Sequence, residues 1–179
     1  MRIKKTKING LRIIKPNIFC DNRGRFVKIF HSQTFKEFGL ETTFVESYYS
    51  LSNKNVIRGM HFQIPPEDHY KLVFVPAGKI IDVILDIRKK SKTFGKFETF
   101  ELSSENGYFL YIPKGCAHGF ISLADNTNVT YLQTTMYNGN CDKGIAYDSF
   151  GFDWNCEEPI ISERDLKFPD FHSYNTPFK

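Results

Sequence analysis

Between Phe44 and Thr135 the chain reads as short runs of β-branched and aromatic residues broken by polar turn clusters. The clearest runs are Val73–Val75, Ile80–Ile87, Lys96–Leu102, Tyr108–Ile112, His118–Leu123 and Val129–Thr134. Each is short enough to be one strand and carries the side chains that suit a pleated surface. Pro76-Ala77-Gly78, the segment from Ser103 to Gly107, Pro113-Lys114-Gly115 and Asp125-Asn126 separate them, and these are residue types that turn the chain. Regular spacing of this kind predicts an all-β antiparallel sandwich or barrel with a few short helices. One helix is expected over Ser32–Gly39, with Thr34 and Glu37 as a capping box and Gly39 as its stop, and a second short turn from Ser162. No repeat or linker interrupts the chain, so residues 1–179 are read as one domain. The polar, Pro-containing tail after Pro169 is expected to wrap the surface.

Composition narrows the function classes. Eighteen Phe and nine Tyr supply both a core and rings able to line a sugar or base pocket. Twenty-four basic against twenty acidic residues give a net charge of +4 with no basic block, so nucleic acid is not an expected partner and any anion site should be local. Cys20, Cys116, Cys141 and Cys156 show no paired spacing, and Met1-Arg2-Ile3-Lys4-Lys5 lacks the apolar run of a signal peptide. Reduced thiols in a cytoplasmic protein are expected. No run of about 18 apolar residues predicts a membrane span.

Candidate chemistry concentrates in Arg58-Gly59-Met60-His61-Phe62-Gln63, where a cation and an imidazole lie three residues apart in an apolar-flanked segment. That pairing suits proton transfer on an anionic substrate. Lys71 follows ten residues after His61, and Gly107 to His118 reads G-Y-F-L-Y-I-P-K-G-C-A-H. Together the two segments resemble the paired motifs of a cupin jelly-roll. In that motif a Glu joins two His as metal ligands, and Lys71 stands in its place, seven residues before Gly78. A cation there opposes a divalent metal, and the His-x-His pair is missing, so neither metal nor cofactor is expected. Against these readings, His31, His69 and His172 read as ordinary structural histidines, Tyr131 as core filling on an alternating strand, and Lys71 as an exposed strand-edge residue.

Nearly the whole chain is similar to the nucleotide-sugar 3,5-epimerases, the family of dTDP-4-dehydrorhamnose 3,5-epimerase. The resemblance is carried by Asp21-Asn22-Arg23-Gly24, the stretch from Asn55 to Gln63, Lys71-Leu72-Val73, Asp82-Val83, Ser91 to Gly95, Leu102 to Asn106, Ile112 to Phe120 and Tyr131. What it implies is removal of a weakly acidic proton beside a C4 ketone and its return on the opposite face, at C3 and C5. His61 would be the base, Asp165 the carboxylate that orients it, Tyr131 the acid on the other face, and Lys71 the cation at the C4 oxygen. His118 with Asp82 would form a second His–carboxylate pair, and Gln63 would contact substrate. Arg58 would hold the diphosphate. The family also implies a homodimer in which Arg23 and Phe26, from the N-terminal segment, reach the nucleotide in the neighbouring site.

The chain departs from the rhamnose-pathway pattern where Glu46-Ser47-Tyr48-Tyr49-Ser50 replaces a Gln-x-Asn-His-Ser run. Lys28 stands where a Glu is frequent near the base, Leu132 where a Lys is common and Met136 where a Tyr is usual. Lys28 can only donate, which suits the acceptor edge of guanine, and Glu46 with Tyr48 changes the wall near the sugar. The expected substrate is therefore a GDP-linked 4-keto sugar, a heptose included. The alternatives are dTDP-4-keto-6-deoxyglucose, C3-only epimerisation or 3,4-ketoisomerisation on the same scaffold, and a non-catalytic sugar-binding cupin.

Overall fold

The computed structural model describes all 179 residues. In chain order the strands are β1 (Arg2–Lys5), β2 (Arg12–Lys15), β3 (Ile18–Asp21), β4 (Gly24–Val27), β5 (Glu46–Ser52), β6 (Ile57–Gln63) and β7 (Lys71–Ala77). They continue with β8 (Lys79–Asp86), β9 (Phe97–Ser103), β10 (Phe109–Ile112), β11 (Cys116–Ser122), β12 (Thr127–Gln133) and β13 (Asp142–Gly144). A six-stranded sheet runs β1-β2-β10-β7-β12-β5 and a five-stranded sheet β13-β6-β11-β8-β9, with β3–β4 as a separate hairpin. Every pairing between strands is antiparallel. The architecture is that of an all-β cupin-type sandwich. No helix is long and apolar enough to cross a membrane.

Alternation along the strands builds three apolar layers. Val73 and Val75 of β7, Leu110 and Ile112 of β10, Ile80 and Ile84 of β8 and Phe120 of β11 pack together between the sheets. Their neighbours Leu72, Phe74, Phe109 and Tyr111 face outward from the six-stranded sheet and are covered by Phe35 of the short helix. Val83, Leu85, Ala117 and Ile121 face outward from the five-stranded sheet, under Phe150, Trp154 and Phe178 of the C-terminal segment. Each fully buried side chain of this size contributes about 1.5–3 kcal/mol relative to an exposed one. The tail is thus not only a surface wrap, because Phe178 is anchored in this third layer.

The helix α1 covers Ser32–Glu37, and its cap is His31 rather than Thr34: the His31 imidazole accepts the Thr34 N–H. A ring nitrogen does here what a capping hydroxyl usually does, which places the helix cap three residues earlier than the capping-box reading. Gly39, at φ +67°, ends the segment as expected. All four cysteines are free.

Candidate active site

One irregularity of β6 creates the site. Opposite β11, His61 pairs with His118 and Arg58 with Phe120, so β6 spends three residues where β11 spends two. In a regular strand, positions 58 and 61 would point to opposite faces; the bulge turns both inward. Gly59 makes this possible at φ +135°, in backbone contact so close that an added Cβ would lie 2.5 Å from the Gly119 Cα. Met60 and Phe62 keep the outward face.

A cavity of about 350 Å³ opens between the sheets where the apolar inner layer stops. From the six-stranded sheet come Glu46, Tyr48 and Ser50 of β5, Lys71 of β7, and Tyr131 and Gln133 of β12. Facing them are Arg58, His61 and Gln63 of β6 and His118 of β11, with Asp142 of β13, Tyr137 and Arg164 at the rim and His69 in the wall. The alternation that buries Val73 and Val75 also turns Lys71 inward, and Val129 does the same for Tyr131.

His61 Nε2 lies 2.9 Å from Asp165 Oδ1, while Asp165 Oδ2 accepts the Gly59 N–H at 3.1 Å. Burial raises the Asp165 carboxyl, but the hydrogen bonds from His61 and Gly59 outweigh it and hold the group below its ordinary range. Asp165 opens the one-turn 3-10 segment Asp165–Lys167, and its N–H is held by Ser162 Oγ, so the turn expected from Ser162 positions the carboxylate. This pairing leaves His61 Nδ1 without a hydrogen-bond partner, on a ring that lines the cavity. Across the bulge, His118 Nε2 contacts Asp82 Oδ1 at 2.5 Å. Burial pushes the Asp82 carboxyl up, opposed by His118.

Lys71 is 8 % exposed and its ammonium forms no hydrogen bond or salt bridge with a protein group. Burial pushes it down to about 8, with Asp142 and Asp82 opposing. Tyr131, 5 % exposed, is held well above the ordinary phenol range by burial and so stays protonated. Tyr48 stacks on it, with centroids 4.7 Å apart and an interplanar angle of 18°.

Other expected site residues lie elsewhere or have other employment. The Gln63 amide is committed to two loops, 64–70 and 134–140: Nε2 donates to Glu67 O and Met136 O, and Oε1 accepts the Asn138 N–H at 2.6 Å. Arg23 and Phe26 sit on the exposed β3–β4 hairpin, Arg23 paired with Asp21, and Lys28 is exposed just beyond it; none of the three lines this chain's cavity. Sequence reasoning missed His69, Asp142 and Arg164. His69 is not an ordinary satisfied histidine: it is 7 % exposed, its Nε2 is buried without a partner, and burial beside Lys71 pushes it down to about 3. Asp142 and Arg164 form an ion pair at 2.5 Å over the rim. No group of three or more His, Cys, Asp or Glu side chains is placed to hold a metal ion.

An imidazole held by a carboxylate, a protonated phenol on the facing sheet and a buried ammonium line one cavity. The sequence profile of dTDP-4-dehydrorhamnose 3,5-epimerase matches residues 5–173. The chain belongs to this epimerase family. It is 42 % identical over 169 residues to the dTDP-4-dehydrorhamnose 3,5-epimerase of Methanothermobacter thermautotrophicus, covering 92 % of this chain and 91 % of that one. The fold superposes with a TM-score of 0.92 on the Legionella pneumophila 3,5-epimerase solved with dTDP-4-keto-L-rhamnose, at 35 % identity over 97 % of this chain and 94 % of the other. A TM-score of 0.90 relates it to a Streptomyces bikiniensis 3'-monoepimerase, solved with dTDP as a His-to-Asn, Tyr-to-Phe double mutant, at 25 % identity over 94 % and 87 % of the two chains. The chain is accordingly an isomerase of a nucleotide sugar, and 3,5-epimerisation of a 4-keto-6-deoxy sugar is the activity its relatives support.

Proposed function

We propose that the chain inverts C3 and C5 of a nucleotide-linked 4-keto-6-deoxy sugar by proton transfer through an enolate. The observation that carries this reading is the placement of His61 and Tyr131 on opposite sheets facing one cavity. Inversion needs a base on one face of the carbon and an acid on the other. His61 Nδ1 takes the proton while Asp165 fixes the tautomer and stabilises the imidazolium. Electrons from the broken C–H bond move to the C4 oxygen, where the unpaired Lys71 ammonium stabilises the negative charge, a contribution worth about 3–4 kcal/mol in such sites. Tyr131 then donates its proton to the carbon from the far side and regains one from solvent, as His61 releases the one it took. That the S. bikiniensis monoepimerase was solved with one His and one Tyr replaced together fits a His and a Tyr as the reacting pair.

Arg58, at the mouth of the cavity, is the proposed diphosphate ligand. We place Arg23 and Phe26 in the site of a second copy, as a homodimer would bring them; exposure of the Phe19 and Phe26 rings at 61 % and 62 % on the hairpin supports this.

Names of the relatives favour dTDP as the carrier. A second reading, a GDP-linked 4-keto heptose, is favoured by the β5 wall, where Glu46 and Tyr48 line the cavity. Lys28 supports it only from a neighbouring copy, since in its own chain it is exposed away from the cavity. Solvent deuterium exchange over dTDP- and GDP-linked 4-keto sugars decides among the readings. Two labels indicate 3,5-epimerisation, one a C3 epimerase, and none on any substrate a binding protein.

A further inference from the structure

Tyr131 is gripped from both sides. In the β5–β12 register Tyr48 is its direct partner, and their rings stack at 4.7 Å and 18°. The His118 ring meets Tyr131 edge-on, at 6.0 Å and 70°. Each jaw has its own anchor. His118 is fixed by Asp82 at 2.5 Å. The Tyr48 hydroxyl donates to Gln133 Oε1 at 3.4 Å, Gln133 Nε2 donates to Glu46 Oε2 at 2.5 Å, and the same Glu46 oxygen accepts the Tyr137 N–H at 2.7 Å. A chain of hydrogen bonds ending on a carboxylate therefore holds a residue that is 39 % exposed and lines the cavity. Packing alone does not call for this, because Tyr48 adds little to the core.

We propose that Tyr48 is a positioning residue that clamps the Tyr131 ring and thereby sets the fraction of enolates reprotonated from the opposite face. This rests on the reading of Tyr131 as the acid. Once His61 has taken the proton, the enolate has two exits. Return of a proton from His61 regenerates the original configuration, exchanged with solvent but not inverted. Donation by Tyr131 forms the C–H bond on the other face, and the phenolate is refilled by solvent. The two exits compete, so a hydroxyl displaced by even about 1 Å shifts the outcome toward return, by a factor of the order of 100 at the extreme.

The test is the ratio of inverted to exchanged-but-uninverted sugar, read by NMR in deuterium oxide under single-turnover conditions. Because the ratio counts only molecules that reached the enolate, loss of active protein cancels. Tyr48→Ala is expected to lower the ratio about tenfold or more, Tyr48→Leu to lower it similarly, and Tyr48→Phe, which keeps the stacked ring but loses its anchor on Gln133, to lower it by less than either. If Tyr48→Ala raised KM at an unchanged ratio, Tyr48 would only line the wall and the proposal would be overturned. Tyr131→Phe separates the two levels. Loss of inversion in Tyr131→Phe together with a wild-type ratio in Tyr48→Ala would defeat the clamp alone, whereas retained inversion in Tyr131→Phe would defeat the acid assignment and the clamp with it.

Discussion

Asp165 holds both sides of the β6 bulge: its Oδ1 is 2.9 Å from His61 Nε2 and its Oδ2 accepts the Gly59 N–H at 3.1 Å. One carboxylate thus fixes the proposed base and the backbone kink that aims it. Asp165→Asn removes the charge that stabilises imidazolium and reverses the tautomer preference at one oxygen. Exchange of substrate protons with solvent is expected to fall by about 10²–10⁴-fold at unchanged nucleotide affinity. A rate within threefold of wild type would show that His61 works without its partner.

The bulge itself can be tested at Gly59. Its φ of +135° and its contact with Gly119 leave no room for a methyl group, so Gly59→Ala must distort the strand. A stability loss of about 1–3 kcal/mol in urea titration is expected from the backbone strain alone. Activity should fall further than the remaining folded fraction explains, since Arg58 and His61 no longer share a face. Gly24→Ala, on the open hairpin where nothing lies within 4 Å of an added Cβ, provides the comparison with no neighbour to displace.

Lys71 predicts opposite signs for activity and stability. Its folded value, near 8, lies below the ordinary lysine range, so between about pH 8 and 10.4 the unfolded chain binds more protons than the folded one. Stability from this group therefore rises with pH across that window, while enolate stabilisation is lost as pH passes about 8. Lys71→Met should make the fold more stable at neutral pH by about 2–3 kcal/mol, and the activity loss should be large at all pH values. A variant that is both less stable and still active would refute this account of the buried ammonium.

Six strands of the sandwich were legible because they alternate or run apolar between strong turn residues; Tyr108–Ile112 and His118–Leu123 fall within two residues of β10 and β11. β1 and β2 were not, since Arg2-Ile3-Lys4-Lys5 and Arg12-Ile13-Ile14-Lys15 are short and charged, and only pairing makes them strands. Lys71 and His118 could be placed by motif spacing. That Arg58 and His61 share a face could not, because the three-residue interval fits one face only with a bulge that β11 reveals. His69, Asp142 and Arg164 join the site from loops and a short edge strand, where no local pattern signals a cavity.

The β5 wall is where the proposed substrate choice can be tested. Glu46 is held by Gln133 and the Tyr137 N–H, so its charge is fixed at the cavity edge rather than free to swing to solvent. Glu46→Gln should change kcat/KM for a 4-keto heptose and a 4-keto-6-deoxyhexose unequally, by roughly tenfold in their ratio if this carboxylate reads a sugar hydroxyl. Equal effects on both would remove Glu46 from the specificity argument, and a clear dTDP preference of the wild type would end the guanine reading.

The most direct measurement compares His61→Asn with Tyr131→Phe in deuterium oxide, using a 4-keto nucleotide sugar that the wild type inverts. With His61 as base and Tyr131 as acid, His61→Asn should give neither label nor inversion, and Tyr131→Phe should incorporate label while returning the original configuration. Near-normal exchange in His61→Asn, or inverted product from Tyr131→Phe at the wild-type rate, would contradict the assignment.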